Sequence, residues 1–320
     1  MKRTIFTAAL LALALTLSLP INANPKKKEV QKLEGNISIS GAFALYPLAV
    51  KWAEEFRKLH PDVKIDISAG GAGKGITDVL NNMVDIAMVS RDLAPTELEK
   101  GAIPYYVTKD AVVGVVNAKN PAIKEILKSG IKKEGFNSIY ITGEVKSWDN
   151  LFPNGPKGPI HVYTRSDASG AAESWAKFFG KKQEDLLGTA IFGDPGLATA
   201  VKRDPLGFGF NNIGYVYDLK TKKQIEGVRV LPIDVNGNGT IDKEEDFYGS
   251  IEKLVEAIAD GRYPSPPARE LFFVTKGKVS NPISKEFLKW VLTDGQKYVL
   301  ESGFVNLSKD RIKEQIQKIQ

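Results

Sequence analysis

The chain has 320 residues, of which 42% are hydrophobic and 26% charged, with a formal charge of +6 and no cysteine. This composition fits an ordinary globular protein of two domains or one large one. It excludes disulfides, thiolate catalysis and a lipid-modified N-terminal cysteine. The lysines are scattered rather than interleaved with aromatics, so nucleic acid is not indicated as a partner.

Lys2 and Arg3 precede an apolar run from Ile5 to Leu19, followed by Pro20-Ile21-Asn22-Ala23. That is the layout of a cleavable signal peptide over residues 1–23, with the product in the periplasm or secreted. The run is shorter than the ~20 residues of a spanning helix, which disfavours an uncleaved anchor. Cleavage removes Lys2 and Arg3 and no acid, so the net charge falls from +6 to +4. Pro25 to Glu34 reads as a solvated, lysine-rich arm.

Ile37 and Ile39 begin a strand that ends in Ser40-Gly41-Ala42-Phe43-Ala44. Pro47 suits a helix start, with Leu48, Trp52, Ala53, Phe56 and Leu59 as the buried stripe and Pro61 as the stop. Val63, Ile65 and Ile67 alternate as a second strand running into Gly70-Gly71-Ala72-Gly73-Lys74-Gly75. A helix follows with Ile76, Val79, Leu80 and Met83 inward. Asp85 to Val89 is a third, buried strand ending at Ser90-Arg91-Asp92. Three strand-turn-helix units with small or polar strand ends predict an α/β, doubly wound sheet whose ligand sits at the strands' carboxyl ends. The glycine-rich loop has neither P-loop spacing nor a full dinucleotide fingerprint, which disfavours an organic cofactor. Tight helix–strand packing and a small-anion nest both remain open for it.

Ala111 to Asn117 is a continuous apolar strand, read as a crossover to a second domain. Ile123, Ile126 and Leu127 fit a short helix. Ile160 and Val162 alternate with His161 and Tyr163 as a strand, and after Thr164-Arg165-Ser166-Asp167-Ala168 the period becomes helical, with Ala171, Ala172, Trp175, Phe178 and Phe179 on one stripe. A helix N-terminus beside the forked donors of Arg165 suits an oxyanion. One isolated turn of this kind is more often an N-cap next to a surface arginine, so the anion reading depends on other turns converging on it. Gly207 to Tyr217 supplies a further strand, Leu271 to Thr275 a strand crossing back, and 283–293, 295–302 and 308–319 close the chain as helices.

Asp234 to Glu245, DVNGNGTIDKEE, fills every position of a twelve-residue calcium loop. Asp234, Asn236, Asn238, the Thr240 carbonyl, Asp242 and Glu245 occupy the ligand positions, and Gly239 the turn. Val228, Val230 and Ile233 ahead of it read as strand rather than helix. A lone loop on such a scaffold suits structural Ca2+, the alternative being a plain Asn/Gly turn.

SGAFALYPLAVKWAEEF, the GGAGKG loop, DIAMVSRDL, SWDNLFPNGPKGPIHVYTRSDASG and GQKYVLESGFVNLS together resemble the phosphate-binding proteins of bacterial phosphate ABC transporters, in order over most of residues 36–308. The resemblance implies the periplasmic-binding-protein fold: two doubly wound α/β lobes, 36–108 with 271–320 and 109–270, joined by two crossover strands. It implies a non-catalytic monomer that captures inorganic phosphate or a related oxyanion and delivers it to an ABC transporter permease. The matching ligand positions are Ala42, Phe43, Ala44, Ala72, Gly73, Ser90, Arg165, Ser169, Gly170 and Ala171. The family usually carries Thr or Ser at Phe43, Ala72 and Ala171 and often Asp at Ser90, so most of the cradle here would be backbone. A second reading keeps the fold but makes the chain a calcium-stabilised exported sensor or adhesion protein with another ligand. An enzyme is disfavoured because His60 and His161, the only histidines, show no partner motif.

Overall fold

The computed structural model describes residues 33–153 and 155–319; the predicted signal peptide lies outside them, as does most of the predicted arm. Nine strands, β1 (Gly35–Gly41), β2 (Val63–Ala69), β3 (Ile86–Val89), β4 (Ala102–Asn117), β5 (His161–Arg165), β6 (Thr189–Ile191), β7 (Gly207–Asn212), β8 (Val228–Val230) and β9 (Ala268–Lys276), join in the order β2-β1-β3-β9-β4-β7-β5-β6, with β8 also on β4. The helices are α1 (Tyr46–Leu59), α2 (Ala72–Leu80), α3 (Pro95–Glu99), α4 (Ile123–Ser129), α5 (Lys133–Tyr140), α6 (Trp148–Leu151), α7 (Gly170–Phe178), α8 (Gly193–Arg203), α9 (Ile251–Asp260), α10 (Pro282–Leu292) and α11 (Lys309–Ile319).

Strands β2, β1 and β3 are parallel, as are β7, β5 and β6, whereas β4 and β9 run antiparallel to their neighbours. Parallel strands need long crossovers, and helices supply them. Buried side chains fall into two clusters. One draws on Ile37 to Val107 and Leu271 to Ile319. The other draws on Ala111 to Ala268 together with Val305. We refer to these as the first and second lobes. Strand β4 serves both: residues 102–111 pair with β9, and residues 112–116 pair with β7. The second lobe packs around aromatics, with Trp175 set edge-on to Phe136 and Tyr140 and stacked on Phe210.

Several sequence expectations need correction. Leu59 and Met83, expected inward, are exposed, as is Leu127. Leu59 is the last residue of α1, and Met83 lies beyond the end of α2 at Leu80, where the helical phase no longer applies. The crossover strand begins at Ala102, not Ala111. Polar Thr108, Lys109 and Asp110 break its apolar run, and only pairing with β9 makes it continuous. Gly207 to Tyr217 is a strand only as far as Asn212, followed by a short 3-10 turn over 213–215. A 3-10 turn over 294–298 replaces the helix expected at 295–302. In β5 the side chains of Thr164 and Arg165 are both buried, so its alternation is lost at the end nearest α7.

Candidate functional site

The carboxyl ends of β1, β2, β3 and β5 meet where the two lobes touch. Gly73 N–H, in the first turn of α2, donates to Ala168 O at 3.1 Å, across the lobes. Tyr215 Oη, just beyond β7, donates to Phe43 O at 2.9 Å. Packing at this seam explains the glycines. A Cβ on Gly170 would stand 2.6 Å from Ser90 O, and one on Gly73 would stand 2.5 Å from Ala168 Cβ. Gly75 instead presses on the backbones of Gly41 and Ser40. Of the two readings left open for the glycine loop, Gly75 meets the first, close helix–strand packing, while Gly71 and Gly73 admit the opposite lobe.

All ten sequence-predicted ligand positions lie at these strand ends or in the first turns of the helices that follow, but their donors are unequally available. Ala42 N–H is spent on Met88 O at 2.8 Å, and Gly73 N–H on Ala168. The Ser169 hydroxyl caps α7, accepting from Ala171 N–H at 3.2 Å and Ala172 N–H at 3.3 Å. Among the described residues no protein acceptor takes the N–H groups of Phe43, Ala44, Ala72 or Gly170. Buried amides do not stay unpaired without cause. Two of the four open the first turns of α2 and α7, where the helix dipole favours an anion. Ser90 packs against Gly170, with its hydroxyl at the seam.

Arg165 differs from the sequence expectation of an anion clamp with its whole fork available. Its Nε and Nη2 donate to the two oxygens of Asp167 at 2.8 and 2.7 Å, and its Nη1 donates to Asp194 Oδ2 at 2.7 Å. Three of its five N–H groups are thereby engaged. Burial opposes the charge, but the carboxylates, Asp194 foremost, outweigh it and hold the Arg165 pKa above its ordinary value. Asp167 also accepts from Gly193 N–H at 3.0 Å, and Asp194 accepts from Asn212 Nδ2. Gln183 fixes the turn between β5 and α7 by accepting from Ser169 N–H at 2.9 Å and donating to Asp167 O at 2.6 Å. Phe43 lies over the guanidinium, its ring centroid 5.6 Å from Arg165 Cζ, and meets Phe192 edge-on at 5.9 Å. A cavity of about 520 Å³ opens beside this group, lined by Arg91, Arg165, Ser169, Glu173 and Gln183 among others.

Asp167, Gln183, Phe192, Asp194, Asn212 and Tyr215 were not singled out from sequence. Asp167, two residues after Arg165 on one turn, carried a readable signal; the others arrive from distant segments. His161 does have a partner, contrary to expectation: its Nδ1 lies 2.7 Å from Asp204 Oδ2, which also accepts from Tyr163 Oη at 2.8 Å. The His60 ring lies tilted against Phe56, with centroids 4.5 Å apart.

In the 234–245 loop the Asp234 carboxylate accepts from Gly237 and Gly239 N–H at 2.7 and 2.8 Å. Glu245 accepts from Val235 and Asn236 N–H at 2.8 and 3.1 Å. Both acids are buried, and no Lys, Arg or His among the described residues pairs with either. Asp242 is turned aside to the amides of Asn236 and Asn238 at 2.9 and 2.8 Å. Among the described residues no group of three or more His, Cys, Asp or Glu is gathered as a metal cluster.

The family model for the PBP superfamily domain matches residues 26–295, and the chain belongs to that superfamily, the periplasmic binding proteins. Within it, the chain is similar to the phosphate-binding protein PstS. It is 27% identical to PstS of Bacillus subtilis over 292 residues, covering 89% of this chain and 84% of the relative. It is 26% identical to PstS of Staphylococcus epidermidis, covering 89% and 82%. A solved phosphate ABC transporter substrate-binding protein from Clostridium perfringens, with bound phosphate, shares the fold at a TM-score of 0.70 and 23% identity, covering 86% of this chain and all of that one. An ABC-type phosphate transport receptor from Vibrio cholerae does so at 0.61 and 21%, covering 85% of this chain. Among the described residues no helix is long and apolar enough to cross a membrane.

Proposed function

We propose that this chain is an exported solute-binding protein that captures inorganic phosphate, or a closely related oxyanion, between its lobes and delivers it to an ABC permease. The observation that carries the reading is that four amides without a protein acceptor, at Phe43, Ala44, Ala72 and Gly170, lie at the seam that also holds Arg165 and Ser90. The resemblance to phosphate-binding relatives favours transport over the sensor reading. With Asp167 and Asp194 flanking Arg165, these three side chains carry a net negative charge. Attraction therefore has to come from the oriented amides and helix ends, together with the two guanidinium N–H groups left over. Calorimetric titration and thermal denaturation with phosphate test this. Phosphate should raise the melting temperature and bind with one site per chain; no response at millimolar phosphate would refute the reading.

We also propose that the 234–245 loop takes a structural Ca2+ on Asp234, Asn236, Asn238, Thr240, Asp242 and Glu245. Support comes from the complete motif and from the burial of Asp234 and Glu245 without a counter-charge, because buried charges are generally paired or metal-bound.

A further inference from the structure

The geometry points to Arg269 as a positioning residue for the anion site, holding the first turn of α7 and the Arg165 fork in register from the strands that connect the lobes. This rests on the reading of the seam as an oxyanion site. Arg269, the second residue of β9, lies directly opposite Asp110 of β4. Its Nε donates to Asp110 Oδ1 at 3.0 Å and its Nη2 to Asp110 Oδ2 at 3.4 Å. The rest of the fork leaves the strands: Nη2 also donates to Asn212 Oδ1, and Nη1 donates to Gly170 O and, at 2.8 Å, to Ser174 Oγ. All five N–H groups of the guanidinium therefore have an acceptor.

Two of those contacts lead to the binding groups. Gly170 is the first residue of α7, and its own N–H is one of the four amides without an acceptor. Fixing its carbonyl fixes the direction in which the next amide and the helix end point. Asn212, the other recipient, passes its Nδ2 to Asp194 Oδ1, and Asp194 Oδ2 takes Arg165 Nη1. A single side chain thus reaches both elements of the clamp, one directly and one through Asn212 and Asp194. Burying a guanidinium is a costly way to gain stability, and an apolar side chain of similar size often does as well. What the fork supplies is geometry: binding groups must be held within about 0.5 Å of the productive arrangement. Lysine keeps the charge but cannot serve Asp110, Asn212, Gly170 and Ser174 at once.

The test uses the whole mature chain with Arg269→Lys and, as a milder change that spares the ion pair, Ser174→Ala. Phosphate affinity is read by calorimetry, and backbone hydrogen exchange is read at residues 170–174 in the free protein. We expect R269K to weaken phosphate by about 10- to 100-fold and S174A by about two- to fivefold, on the scale of one or two hydrogen bonds to a charged group. Exchange in the first turn of α7 should rise in both while the rest of the second lobe keeps its protection. Arg269→Lys and Asp194→Asn, which share no direct contact, should combine non-additively through Asn212. The inference is overturned if S174A and R269K bind within twofold of wild type with unchanged exchange. A general rise in exchange with additive double mutants also overturns it, since that marks a scaffold role alone. If wild type itself binds no phosphate, the transport reading fails, and the exchange pattern still decides for or against Arg269.

Discussion

Replacing Arg165 with alanine strands Asp167 and Asp194, both almost wholly buried, without their counter-charge. Breaking a buried pair from one side costs about 3–5 kcal/mol. R165A should therefore lower the urea midpoint sharply even without ligand, and the triple replacement R165A/D167N/D194N should recover part of the loss. An unchanged midpoint in the single variant would show that the two carboxylates find other partners. Ligand binding by R165A alone is consequently a poor measure of phosphate contacts. Phe43 belongs to the same small cluster. It occupies a position where a hydroxyl was expected, yet its ring rests on the Arg165 guanidinium and its amide stays available. The aromatic thus replaces a side-chain contact to an anion with one to the protein's own cation.

At the scale of elements, the loop after β3 shows how a strand end at the seam is kept in place. Ser90 is followed by Arg91, whose Nη1 and Nη2 fork onto Glu97 at 2.9 and 2.7 Å, while Glu97 also takes Ala94 N–H at 2.8 Å. Burial opposes the Glu97 charge, but the Arg91 fork and the amide outweigh it, so its pKa lies below the usual 4.5. A carboxylate depressed in the folded state contributes stability in full above its unfolded value and loses it as pH falls through the folded one. The stability difference between wild type and Glu97→Gln should accordingly be flat from about pH 7 to 5 and shrink in more acidic solution. A difference that grows on acidification would refute the assignment. The helix α7 is anchored by other means, with Ser169 as its cap and Gln183 holding the preceding turn. Its start was readable from the change of period at Ser169, whereas the 3-10 turn bearing Gln183 carried no local signal.

Across the whole molecule, β4 and β9 are the strands common to both hydrophobic cores, and the ion pair Asp110–Arg269 sits on them. Burial pushes the Asp110 carboxyl above its ordinary pKa, and Arg269 offsets only part of this. The 234–245 loop lies elsewhere in the second lobe, joined to α4 through Ile241 N–H, which donates to Lys128 O at 3.0 Å. If it holds Ca2+, millimolar calcium should raise the melting temperature and a chelator lower it, with both effects lost in Asp234→Asn. A chelator-insensitive transition in metal-loaded protein would leave the loop as an ordinary turn.

The strand-turn-helix order, the apolar stripes and the loops that form the seam were legible locally, because period and turn chemistry are properties of neighbouring residues. The same local reading placed Arg165 at a helix start beside Ser169. It could not reveal that Asp194 lies against that guanidinium from twenty-nine positions away, or that Arg269 reaches Gly170 from ninety-nine. Nor could it divide the loop amides into those with a protein acceptor and those without one. Local sequence was enough for the class of fold and for the loops at which we propose that an anion is held. Tertiary structure alone decided which donors remain and what charge surrounds them, because hydrogen-bond saturation depends on partners brought together only when both lobes pack.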